Sequence, residues 1–394
     1  MPLSGLLVVE FAGVLAGPSV GMFLAELGAR VIKVENPAAG GDVTRHWTLG
    51  VAPGADAAAR ASGTGSDEAP SPYFASVNWG KESVALDFAR PDHLVAARHL
   101  AGRADVVLVS YKAGDAARFG LDYEAVAATN PRAVYAEITA YGPGDDRLGY
   151  DAVIQGETGF MHLNGTAASG PVKLPVALMD ILAGHQLKEA VLVALLERER
   201  TGRGSRASVS LLRSGLAALI NQASNWLVAG VNPQRLGSGH PNIVPYGTAF
   251  ATEDSRPAIL AVGTDRQFAA LCDVLGLAEL AGDARFASNP ARVTHRDELE
   301  TMLEDAVREW DRDELLGRLA AAGVPTGPIY DVSEALAQPG AEPLLLDDAG
   351  LRGVRSVAFE PSESYRPRSL SAPPALGRDT EAVLGELGER DEPG

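Results

Sequence analysis

The chain has 394 residues, 46% hydrophobic and 22% charged, the composition of a soluble globular protein long enough for two domains. Its 34 Lys and Arg against 51 Asp and Glu leave a net charge of -17. That balance disfavours nucleic acid and anionic membranes as partners, and a phosphate-bearing ligand would need a locally basic pocket. The one cysteine, Cys272, allows no internal disulfide and points to a reducing compartment. No basic leader and no membrane-length apolar run is present, so the expected location is the cytoplasm.

In chain order, LLVVEF (6–11) reads as a strand, GPSVGMFLAELG (17–28) as a helix and RVIKVEN (30–36) as a second strand. Such a strand–helix–strand unit favours parallel pairing with a right-handed crossover. APGADAAARASGTGSDEAPSP, between Trp47 and Tyr73, is small, polar and Pro/Gly-rich and reads as a long mobile loop. The alternation resumes with SVALDF (83–88), a helix over 92–103, ADVVLVSY (104–111), a short helix around DYEAVAATN and AVYAEITAY (133–141). These apolar strands suit a sheet buried on both faces, hence a doubly wound, Rossmann-like α/β domain. A long helix follows Asp180 to about Arg200, with a glycine stop at Gly202. RASVSLL reads as a short strand and 215–230 as a second long helix. The expected division is a large domain over 1–200, completed by 331–394, a linker and helix over 201–230, and a smaller α+β domain over 231–330.

The dinucleotide fingerprint is missing, because FAGVLAGP spaces Gly13 and Gly17 wrongly, which disfavours a nicotinamide enzyme. The histidines are scattered, with no metal-ligand spacing. GPSVG (17–21) fits G-x-S-x-G as text, but five residues separate it from the strand, and Pro18 suits a first helical turn better than a nucleophile elbow. Cys272 lies in an amphipathic helical pattern and reads as core.

PVALMDILAGHQ (175–186) is more pointed: one carboxylate, Asp180, stands among apolar residues at a helix start. It reads either as a helix cap or as a shielded nucleophile beside a positive helix end. Gly184 in the first turn costs about 1 kcal/mol against alanine, which suggests a close backbone approach. Position alone leaves both readings open.

A run of ordered segments resembles the family III CoA-transferases over essentially the whole length. They include VVEFAGVLAGPSVGMFLAELGARVIKVENP, GGDVTRHW, SVNWGKESVALDF, ADVVLVSYKAG, ITAYGPG, GYDAVIQGETGFMHLNG, PVALMDILAG and PALGRDTEAVLGELG. The resemblance makes Asp180 the catalytic nucleophile, attacking an acyl-CoA to form mixed anhydrides and an aspartyl-CoA thioester. It implies no metal and no permanent cofactor, with coenzyme A entering as substrate. It places the nucleotide against Leu86, Asp87, Phe88 and Ala89, against Ser110, Tyr111 and Lys112, and against Thr139, Ala140 and Tyr141. Val14, Leu15 and Ala16 would lie along the pantetheine. Lys112 and Arg118 are the leading phosphate candidates, followed by Lys33, Arg45 and Lys81.

Leu15 and Asn36 depart from formyl-CoA transferase, which carries a glutamine and a basic residue there. Trp47 and Tyr150 are substrate-side candidates. Gly237, Gly239 and His240 match a glycine-rich lid. Racemases of the family carry a histidine where Tyr150 stands, and a phenol with a pKa near 10 is a poor base, so transfer is favoured. Alternatives are a racemase or epimerase of the same family, or a non-catalytic CoA-binding subunit. NQASNWLVAG and PQRLGSGHPNIVPYGTAF look closest to succinyl-CoA:dicarboxylate transferases, which implies succinyl-CoA as donor and a dicarboxylic acid as acceptor. The family fold further implies a ring-shaped chain in an interlocked homodimer.

Overall fold

The computed structural model describes residues 1–49, 70–112 and 114–389. The loop expected between Trp47 and Tyr73 lies largely outside them. Two compact units interleave along the chain: residues 1–158, 175–219 and 340 onward form the first, and 159–174 with 220–339 form the second. Residues 159–174 fall with the second unit and 201–219 with the first, a finer interleaving than the sequence suggested. Among the described residues no helix is long and apolar enough to cross a membrane.

The first unit is built on six strands, β1 (Leu7–Phe11), β2 (Arg30–Glu35), β3 (Glu82–Ala85), β4 (Val106–Val109), β5 (Val134–Thr139) and β6 (Arg206–Ser210). All neighbours pair parallel in the order β3-β2-β1-β4-β5-β6, as a doubly wound fold requires. Strand alternation gives the sheet two different faces. On one, Val9, Phe11, Ile32, Val34, Val107 and Val109 pack with Leu100 of helix Pro91–Arg103 and Val383 of the last helix, Thr380–Glu389.

The other face is not uniformly apolar. Glu10 and Lys33 are register partners on β1 and β2, both fully buried, with Lys33 Nζ 3.0 Å from the Glu10 carboxylate. Lys81 Nζ reaches the second oxygen of Glu10 at 2.7 Å and also donates to the Asn78 side chain and the Pro18 carbonyl. Arg45 forks onto Glu35 at 2.6 and 2.8 Å and lies over the Phe74 ring. This corrects the expectation for Lys33, Arg45 and Lys81. They are committed to internal ion pairs, because a cation facing into a sheet–helix layer must find its counter-ion there.

Helix α1 (Ala16–Glu26) and the long helix Leu178–Thr201 cover this face and pack on each other. Gly184 permits their approach: a Cβ there would lie 2.5 Å from Ser19 Oγ and 3.2 Å from the Ala16 carbonyl. The close approach inferred from this glycine is therefore made by α1. The helix expected over 215–230 is broken into Leu211–Ala217 and Ile220–Ala229, with Ile220 at φ 38° in the break.

In the second unit, β7 (Tyr246–Ala251), β8 (Pro257–Ala261) and β9 (Thr326–Pro328) form an antiparallel sheet. Helices Asp265–Leu275, Arg296–Val307 and Arg312–Ala321 enclose a core around Phe250, Leu260, Phe268 and Leu303. Cys272 is fully buried in it, its thiol pushed up to about 12 by burial and then by Asp273, as core filling requires.

Lys81→Met leaves half of the Glu10 carboxylate unpaired in the interior. The variant should lose about 3–5 kcal/mol of unfolding free energy in urea titration.

Candidate active site

Strand order reverses between β1 and β4, where the loops leaving the two strands diverge and open a crevice at their carboxyl ends. The loops stay linked, Gly13 N donating to Ser110 Oγ at 3.2 Å. The crevice holds about 250 Å³, and its lining includes Gly13, Val14, Ala16, Ser110, Tyr111, Lys112, Thr139, Ala140, Tyr150 and Asp180.

Asp180 is the third residue of the long helix, not its cap. The N-cap is Ala177, which offers no side-chain bond. The capping acceptor comes from elsewhere: Asp151 Oδ1 accepts the Met179 amide at 2.8 Å, while its Oδ2 accepts from Gln155 at 2.8 Å. Asp151 thus satisfies one of the free amides at the helix start and fixes the turn that carries Asp180.

Asp180 itself is 9% exposed, and among the described residues no donor hydrogen-bonds its carboxylate. Burial, and then the charge of Asp151, push its pKa up to about 7. Asp42 shows the opposite outcome. Burial works against its charge, but Lys33 at 3.0 Å and the amide and hydroxyl of Thr44 hold it below the usual carboxylate range.

Tyr73 was not singled out from the sequence. Its phenol is pushed up by burial and then by the charges of Asp180, Asp151 and Asp42. Its ring packs edge-on against Trp47 at 4.8 Å. The role of Asp151 at the helix start was equally invisible in the sequence. The Tyr150-Asp151 pair at the start of helix Asp151–Glu157 was the one available signal.

The structure brings Val14, Ala16, Ser110, Tyr111, Lys112, Thr139, Ala140 and Tyr150 to the crevice with Asp180. Leu15 is the N-cap of α1 beside them. The remaining candidates do not line it. Leu86 is fully buried in the core. Asp87 accepts the Ala89 amide, and Phe88 packs on Phe119 at 5.0 Å. Asn36 caps the Ala38 amide, and Arg118 pairs with Asp115 at 3.3 Å on the surface. Tyr141 donates to Glu157 at 3.1 Å beneath the Arg147 guanidinium.

Gly237, Gly239 and His240 belong to the second unit, where their amides bond the carbonyls of Gly165, Leu236 and Tyr246. Ser19 donates to the Ala16 carbonyl inside α1, so the G-x-S-x-G text is an ordinary helix start.

A desolvated carboxylate at the switch-point crevice, with no donor among the described residues, is suited to covalent acyl chemistry. The family model for CoA-transferase family III matches residues 3–380. The succinate–glutarate CoA-transferase of Agrobacterium fabrum is 38% identical over 396 residues, 98% of this chain and 96% of that protein. The human succinyl-CoA:glutarate CoA-transferase is 33% identical over 395 residues, covering 98% of this chain and 86% of that one. A crystal structure of a CAIB/BAIF family protein from Brucella suis superposes with a TM-score of 0.84 at 39% identity, over 98% of this chain and 99% of that one. By class the protein is a transferase enzyme, a CoA-transferase. The chain belongs to CoA-transferase family III.

The Asp180 pKa lies above the ordinary 3.8, so the folded chain binds this proton more tightly than the unfolded one. Stability from this group is therefore lost as pH rises from about 4 to about 7, by at most about 1.4 kcal/mol per unit. Asp180→Asn should melt several degrees above the wild type at pH 8, and the gap should close towards pH 4 in thermal scans.

Proposed function

We propose that the protein moves CoA from succinyl-CoA to a dicarboxylic acid through covalent intermediates on Asp180. The single observation carrying this reading is a buried carboxylate with no donor among the described residues, in a crevice whose lining also includes Lys112, Arg147, Asp145 and Asp146. The names of the relatives supply the acids.

In the proposed sequence, an Asp180 oxygen attacks the thioester carbonyl of the donor and the C–S bond breaks. This gives a succinyl–aspartyl anhydride and CoA thiolate. The thiolate attacks the aspartyl carbonyl, so aspartyl-CoA forms and succinate leaves. The acceptor carboxylate then attacks aspartyl-CoA, and the released thiolate takes the acceptor's acyl group from the second anhydride, returning Asp180. Each step exchanges one acyl bond for another, so the thioester's free energy is retained throughout. The demands on the protein are a desolvated nucleophile, positioned donors and exclusion of water.

Val14, Leu15 and Ala16 would follow the pantetheine, and the loops after β4 and β5 would hold the nucleotide, with Lys112 on the crevice lining to meet a phosphate. Tyr73 and Trp47 would bound the acyl side. The working form would be an interlocked homodimer in the cytoplasm. The exposed Trp226, Leu227 and Val228 of helix Ile220–Ala229, and Val193 and Leu196 of the long helix, supply apolar surface for such an assembly.

Asp180→Ala should abolish exchange between succinyl-CoA and glutarate while leaving the circular dichroism spectrum intact, and residual transfer above one part in a thousand would refute the nucleophile. Mass spectrometry after incubation with succinyl-CoA should find a hydroxylamine-sensitive adduct on Asp180. Because attack needs the ionised form and the free group titrates at about 7, kcat/KM should rise with pH through that value and then level off.

A further inference from the structure

The four residues between β1 and α1 lead along one wall of the crevice, which Gly13 and Val14 line with Ala16 and Gly17, and Val14 has φ 69°. A β-branched residue in the left-handed region is an outlier, and such strain persists only where surroundings enforce it. The enforcing group is visible. Val14 N donates to both oxygens of Asp42, at 3.3 and 3.2 Å. Asp42 is itself held by Lys33 at 3.0 Å and by the Thr44 amide and hydroxyl at 3.1 and 2.8 Å.

The same buried cluster grips the turn on either side. Lys33 Nζ donates to the Ala12 carbonyl at 2.7 Å, and Lys81 Nζ to the Pro18 carbonyl at 2.9 Å. Glu10 joins the two lysines. Three backbone atoms of a seven-residue stretch are therefore set by charged side chains behind the crevice. In front, the wall meets the helix of Asp180, through the Ala16 carbonyl and Ser19 against Gly184. Nothing in the chemistry of transfer needs these buried charges, and apolar residues would fill the layer at least as stably.

We infer that Asp42 is a positioning residue for the transfer reaction: it holds Val14 in the left-handed conformation and so fixes the crevice wall against which the acyl-CoA thioester stands. This rests on the reading of Asp180 as nucleophile. Without the Asp42 carboxylate, valine should relax to negative φ and carry the start of α1 away from its place beside Asp180. Misplacement of about 1 Å at a reacting centre costs as much as about 100-fold in rate.

The test is a double-mutant cycle, with turnover expressed per folded site. Asp42→Asn keeps one acceptor but loses the charge beside Lys33, and should lower kcat at least about tenfold with the KM for succinyl-CoA within about threefold. Glycine enters the left-handed region about as readily as any other. The same Asp42→Asn change made in the Val14→Gly protein should therefore cost at most about threefold. Asp42→Glu keeps the charge but not the distance to Val14, and it serves the same cycle if the Asn variant fails to fold.

An equal loss in both backgrounds, or wild-type kcat per folded site, overturns the inference. A wild-type protein that exchanges no CoA would instead sink the transfer reading. In that event amide hydrogen exchange still decides: exchange at Val14 should quicken at least about tenfold in Asp42→Asn, and unchanged exchange overturns the role of Asp42.

Discussion

A carboxylate removed from water without a donor raises the free energy of a fold, and the first unit is arranged around one. Glu10, Asp42 and Asp151 are all buried in the same region, yet each has partners: lysines for Glu10, a lysine, a threonine and a backbone amide for Asp42, an amide and a glutamine for Asp151. Asp180 alone among them receives no donor from the described residues, and its proton affinity rises accordingly. Environment rather than residue type separates a structural carboxylate from a reactive one.

The unpaired group is tolerable because everything around it is over-determined. Its helix is capped in trans by Asp151 and pressed against α1 at Gly184. The start of α1 is in turn tied to the Glu10–Lys33–Lys81 cluster through the Ala12 and Pro18 carbonyls. Buried ion pairs are a weak source of net stability, but they are directional, and a directional layer behind a loop keeps a strained turn from relaxing. The first unit thus carries two liabilities at the crevice, the bare Asp180 carboxylate and the left-handed Val14, and both are tied to the same buried layer.

Much of this was legible in order along the chain. The strands and helices of the sheet were visible as period-2 and period-3.6 patterns, and the glycine stop at Gly202 ends the long helix in a left-handed cap as expected. Asp180 drew notice as the one charge in an apolar helix start, and Gly184 as a backbone approach. Other features were hidden for a physical reason. Lys33, Lys81 and Arg45 look like surface cations in one dimension, since their counter-ions lie up to 71 residues away. Tyr73 carries no local pattern that marks it, and Asp151 meets the start of the long helix across 28 residues of sequence. Ile220 sits in an unbroken helical pattern, yet its φ of 38° interrupts the helix there.

Taken by itself, the sequence determined the parallel α/β architecture and drew notice to Asp180 without choosing between cap and nucleophile, because hydrophobic periodicity and an isolated carboxylate at a helix start are local properties. Tertiary structure alone decided which carboxylates are satisfied and which is not. Hydrogen-bond donors and counter-ions are shared across strands and loops far apart in the chain, and a side chain's proton affinity is set by what surrounds it in space.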